Sequence, residues 1–232
     1  MKKVLLIIFI IILVLVGLAF GAFYYFFKVP AKSIDVSWTE KDYASGIDKS
    51  KVKVENIDNL NLLKLISGDF VSKGSNPVSS SWSNEEISAV LSKTNNTLGP
   101  IEDVKVRFLA NNEVETTFKL KANVYEYFSS NKTLNDTINS YGNLKDIVIG
   151  SPIYVKAKLN SASGKTVDGN IQEITLGNLS MPANVVSEAQ TVVVPMINTI
   201  ISNYEGFSIN KLSFEKDKLN FYGTLSNTVS GK

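Results

Sequence analysis

From Val4 to Phe27 the chain reads VLLIIFIIILVLVGLAFGAFYYFF, without a charge. After that run the apolar positions become periodic, and the period changes several times. SWTEKDYASGI and SWSNEEISAVLS both predict helices with capped starts. Thr39 and Ser83 are the N-caps, Asp42 and Glu86 complete capping boxes three residues later, and Trp82 staples onto Ile87. Ile87, Val90 and Leu91 then share a face. The common plan suggests either a duplicated strand-to-helix unit or shared capping chemistry. Between the two segments, Ile57 to Phe70 holds enough Leu and Ile for a short helix. Ser72 to Ser81 is rich in Gly, Ser, Asn and Pro and reads as an internal boundary.

Period two follows. Val104, Val106 and Phe108 alternate with polar residues, Asn111-Asn112 make a turn, and Val114, Thr116, Phe118, Leu120, Ala122 and Val124 alternate again. Residues 128–149 break the pattern and read as an inserted loop with a short helix. Ile153, Val155, Ala157 and Leu159 then lead through a turn at Ser161 to Gly164 into Val167, Ile171, Ile174 and Leu176. The parity change between Ile171 and Ile174 predicts a bulge near Gln172-Glu173. Past Pro182 the spacing becomes helical to Tyr204, with a kink expected at Pro195, whose ring clashes with the Thr191 carbonyl. A last hairpin runs from Phe207 through Lys216-Asp217-Lys218 to Leu225. The sum is an α+β chain: an N-terminal transmembrane helix, then a long antiparallel sheet wrapping or covered by one apolar helix. Its parts are 1–28 (tail and anchor), 29–80 (a strand/helix subregion) and 81–232 (sheet plus helix).

The uncharged run is long enough to cross a hydrocarbon core of about 30 Å. Tyr24 and Tyr25 lie where an interfacial aromatic belt belongs, and Lys2-Lys3 favours a cytoplasmic N-terminus with the rest extracytoplasmic. A cleavable signal peptide is the competing reading, with small residues at Ala19-Phe20-Gly21, but the apolar run exceeds a typical h-region. Net charge is +2, and Lys2 and Lys3 account for it, so no basic footprint for nucleic acid exists. The 232 residues include no Cys and no His. That removes disulfides, thiolate nucleophiles, the usual triads and the favoured zinc ligands. A cysteine-free exported domain suits a bacterial envelope, stabilised by packing alone.

Remaining chemistry is thin. SGKT at 163–166 has Leu159 where a phosphate loop wants Gly, and reads as a hairpin turn. Glu85-Glu86 is a cap and dipole complement before it is an acid–base pair. No catalytic residue, metal ligand or cofactor is expected, and the chain reads as a non-enzyme. The apolar pattern offers two alternatives. Phe118, Leu120, Val155 and Leu176 on the sheet, with Val185, Ala189, Met196, Ile197 and Ile200 on the helix, are either plain core or the lining of a lipid-sized tunnel, with Leu179 and Met181 at its lip.

WSNEEISAVLS, QEITLGNLSMP and GFSINKLSFEKDKLNFYGTL, in that order over roughly the last 150 residues, resemble the YpmS-like single-pass envelope proteins of Gram-positive bacteria, and more loosely TULIP-type lipid-binding modules. That resemblance implies a membrane-tethered, non-catalytic module for a lipid or other hydrophobic ligand. The alternative is an envelope scaffold with a solid core, recruiting a protein partner.

Overall fold

The computed structural model describes residues 14–18, 21–124 and 148–232. Residues 14–18 and 21–28 are helical. The uncharged run from Val4 therefore lies partly outside the described residues, and the insertion expected over 128–149 lies outside them up to residue 147.

The helices are α1 (Glu40–Ser50), α2 (Leu62–Ser67), α3 (Asn84–Leu98) and α4 (Ala183–Asn203). The strands are β1 (Lys53–Glu55), β2 (Phe70–Lys73), β3 (Asn76–Ser83), β4 (Ile101–Phe108), β5 (Glu113–Leu120), β6 (Pro152–Ser163), β7 (Thr166–Leu176), β8 (Leu179–Ser180), β9 (Ser208–Glu215), β10 (Lys218–Leu225) and β11 (Thr228–Gly231). The class is α+β with mostly antiparallel pairing. Both expected capping boxes form, Thr39 with Asp42 and Ser83 with Glu86. Gln172 is the extra residue of the expected bulge, because Lys156 pairs with Glu173 while Ala157 pairs with Ile171. Asn111 and Asn112 both adopt left-handed φ at the β4–β5 turn, which Asn tolerates better than most residues. Strand β5 ends at Leu120, short of the Val124 that alternation suggested. Helix α4 continues through Pro195 as a single element.

One long sheet was expected, but the described strands form three. The main sheet has the order β4-β5-β6-β7-β8, the second β3-β10-β9 and the third β1-β11-β2. The closing hairpin belongs to the second sheet. There β10 pairs along its length with β3, so the Ser-rich stretch from Ser72 to Ser81 contains a strand. Composition hid it: Val78 and Trp82 point inward while Ser79 and Ser81 face out, and the small polar residues dilute the alternation. The third sheet contains the one parallel pair among the described strands, β1 with β11. Of the two similarly capped helices, only α3 follows a strand.

The main sheet stays separate because helices close both its edges. On the outer edge of β4, the Phe108 N–H donates to Asn84 Oδ1 (2.8 Å) and the Val106 N–H to Ser88 Oγ (2.8 Å). Ser92 Oγ donates to the Val104 carbonyl (2.7 Å). Asn84, Ser88 and Ser92 are spaced four apart, so they form a stripe along α3. This corrects the expected helix face: Asn84, Ser88, Ala89 and Ser92 are buried, while Leu91 is exposed. An open strand edge invites further pairing, and polar side chains from a covering helix satisfy it.

Three buried clusters make the core. Val104, Val106 and Phe108 lie under α3; Val78, Trp82, Ile209 and Phe221 fill the second sheet; Leu60, Phe70, Leu98 and Val229 fill the third.

Candidate functional site

The four expected sheet residues share one face. Phe118, Ile153 and Leu176 lie side by side across β5, β6 and β7, Val155 pairs with Thr116 and Ile174, and Leu120 follows Phe118 in the same parity. None of the four is buried and none is fully exposed. Leu179 pairs with Leu176, and the Met181 N–H donates to the Ile174 carbonyl (2.9 Å), so the corner folds back along β7 as β8. Gly177 has φ +56° at this reversal, a conformation open to glycine without steric cost.

Helix α4 then runs back beside β7. Its 21 residues span about 31 Å at 1.5 Å each, close to the roughly 36 Å of the eleven-residue strand. Polar side chains fix it to the strand's outer edge. The Ile171 N–H donates to Gln190 Oε1 (3.2 Å). Asn198 bonds Val167 twice, accepting from its N–H (2.8 Å) and donating to its carbonyl (3.0 Å). At the far end Asn203 Nδ2 donates to the carbonyls of Leu65 and Ile66 at the end of α2. Lys165 donates to the Ser202 carbonyl (3.2 Å) and the Tyr204 carbonyl (2.5 Å).

Of the two alternatives for this helix, the placement speaks against plain core. No residue of α4 is buried, and none joins the three core clusters. Val185, Ala189, Met196 and Ile200 fall within roughly 60° of one another on the helix at 3.6 residues per turn. Ile197 turns away from that stripe and is 39% exposed. By length and composition α4 is apolar enough to cross a membrane, yet its ties to β7 and α2 hold it in the domain.

A cavity of about 460 Å³ lies elsewhere, under the chain segment from Pro30 to Trp38. Ile34, Trp38, Val104, Phe118 and the stems of Lys105 and Lys119 line it. Of the eleven expected lining residues it shares Phe118 alone.

The opposite face of the main sheet is charged, and Glu113, Glu115 and Glu173 on it are paired. Arg107, Glu115, Lys156 and Glu173 stand opposite one another across four strands, alternating in sign. Arg107 contacts Glu115 at 2.5 Å, Lys156 contacts Glu113 at 2.9 Å, and Lys32 contacts Glu173 at 2.6 Å. Burial pushes the Glu115 carboxyl up, but hydrogen bonds from Tyr154 and Arg107 outweigh it and hold it below its ordinary range. The Tyr154 hydroxyl, desolvated and donating to Glu115, is pushed up. Lys32 also lies 4.8 Å from the centroid of the Tyr154 ring. Such cross-strand pairs stabilise a sheet. Glu85-Glu86 likewise resolves into structure, with Glu86 accepting from Lys49 (2.7 Å), Ser45 (2.5 Å) and the Ser83 N–H (2.9 Å). SGKT forms the β6–β7 turn, with Gly164 at φ +59°. Among the described residues no three His, Cys, Asp or Glu side chains gather as metal ligands would.

Compared with known proteins, the chain matches no family model, and no curated protein or solved structure matches it.

Proposed function

We propose that the chain is a membrane-tethered extracytoplasmic module that holds a lipid or another hydrophobic ligand against α4 and the apolar face of the main sheet, without catalysis. The observation that carries this reading is α4 itself: a helix of 21 residues, apolar enough for a membrane, with no residue buried. Its apolar side chains are half-covered and Ile197 is exposed, and apolar surface left partly open on a folded domain is surface that a ligand can cover. The tether is supported by the uncharged run from Val4 to Phe27 and by the exposure of its described side chains, including Leu15, Leu18, Tyr24 and Tyr25. The pairing of Glu113, Glu115 and Glu173 supports a structural role for the charged face. The resemblance to YpmS-like and TULIP-type modules points the same way.

A scaffold that recruits a protein partner is the second reading. The position of the 460 Å³ cavity favours it, because that cavity lies away from α4. Residues 29–232, purified without detergent, discriminate the two by native mass spectrometry and solvent extraction. The ligand reading expects a co-purifying lipid that is lost in Ala189→Glu, with the thermal transition retained. Protein free of lipid throughout, with a partner cross-linked to α4, favours the scaffold.

A further inference from the structure

The end of the N-terminal helical stretch is gripped by the corner that starts α4. The Asn178 N–H donates to the Phe26 carbonyl (2.7 Å), and Asn178 Nδ2 donates to the Tyr25 carbonyl (2.8 Å). These carbonyls belong to the last turn of a helix, where no further helical N–H follows to donate to them. The Ala31 N–H returns a bond to the Gly177 carbonyl (2.9 Å), and Lys28 donates to the Ile149 carbonyl (2.9 Å) and Ser151 Oγ (3.1 Å). A Cβ on Gly177 would overlap the Phe26 carbonyl oxygen, so the two backbones meet in direct contact. The segment that follows is also fixed: Lys32 pairs with Glu173, and Ile34 and Val36 are buried. No slack tether separates the uncharged run from the domain.

The opposite end of the main sheet is closed by the second sheet. Gly164 and Ile209 exchange backbone bonds of 2.8 and 2.7 Å, and the Phe214 N–H donates to Asn112 (2.9 Å). Roughly 35 Å of strand separates that end from the corner.

We infer that the corner from Gly177 to Pro182, with the first turn of α4, is a fixed membrane-contact surface that opens the apolar surface beside α4 onto the phospholipid bilayer. This rests on the reading of residues 4–27 as a membrane span. If that run lies in lipid, its last turn marks the bilayer surface, and Asn178 holds the corner against that turn. Phe23, Tyr24, Tyr25 and Phe26 are exposed beside the corner, as interfacial aromatics are. Leu179 and Met181 present apolar side chains there, so the ligand class is the phospholipid of the same membrane.

The absence of native Cys makes the test direct. Met181→Cys and Ser163→Cys, each carrying an environment-sensitive fluorophore, are reconstituted as full chains into phosphatidylcholine vesicles containing nitroxide-labelled lipid. The expected result is loss of most fluorescence at 181 and little loss at 163, with both proteins floating with the vesicles. Gly177→Ala, added to the 181 probe, should restore much of the fluorescence while flotation and circular dichroism are unchanged. Floating protein whose two probes respond alike, or whose 181 probe ignores Gly177→Ala, overturns the docked corner and leaves the span standing. Protein that does not float overturns the span and the docking together.

Discussion

Glu86 is nearly buried, with a side chain 8% exposed, and receives three hydrogen bonds. Burial raises its pKa, but the bonds from Lys49, Ser45 and Ser83 outweigh burial and leave it below its ordinary 4.5. A carboxyl depressed in the folded state adds stability that is full above the unfolded value and lost as pH falls through the folded one. Glu86→Gln should therefore lower the urea midpoint at pH 7, by about 1–3 kcal/mol of stability. The gap to the parent protein should narrow on acidification below pH 4.5, and a gap constant to pH 3 would contradict this account. The cap role of Glu86 was legible from Ser83 three positions earlier. Its bonds to Ser45 and Lys49 were not, since they join positions about forty apart. Thr175 makes the converse case. It is 2% exposed and its hydroxyl has no partner in the structure. Thr175→Val should raise the melting temperature, because an unpartnered buried hydroxyl costs about 1–3 kcal/mol; a lower melting temperature would show that the hydroxyl is satisfied.

At the scale of elements, two helices act through polar side chains on strand edges. Alternation located the strands of the main sheet to within a few residues, because a half-buried strand writes its pattern every second residue. The same logic misread α3, where Asn84, Ser88 and Ser92 at four-residue spacing look like a solvated face but bond β4. It left α4 between plain core and cavity lining, since an apolar helix beside an apolar strand carries no sign of how deeply it sits. Ser88→Val should destabilise by about 1–3 kcal/mol, since it leaves the buried Val106 N–H unpaired. Asn198→Leu should loosen α4 from β7, read as faster amide exchange at Val167 with the core clusters still protected. Unchanged exchange at Val167 would mean that packing, not Asn198, holds the helix. Strand β11 escaped the sequence pattern because four residues, Thr-Val-Ser-Gly, are too few to show a period.

For the whole molecule, the α+β class was legible and the division into three sheets was not. Which strands pair depends on which edges remain free, and α3 and α4 occupy the edges of the main sheet. Of the expected lining, the sheet residues share a face and the α4 residues other than Ile197 share a stripe, whereas the 460 Å³ cavity lies under the segment from Pro30 to Trp38. The central claim is that the surface beside α4 takes lipid. It is tested most directly by reconstituting the full chain with phospholipid bearing a diazirine on an acyl chain, irradiating, and mapping adducts by peptide mass spectrometry. Adducts on residues 185–200 of α4 and on the Phe118–Leu176 face, lost in Met196→Glu, are the predicted result; adducts confined to residues 4–27 would contradict it.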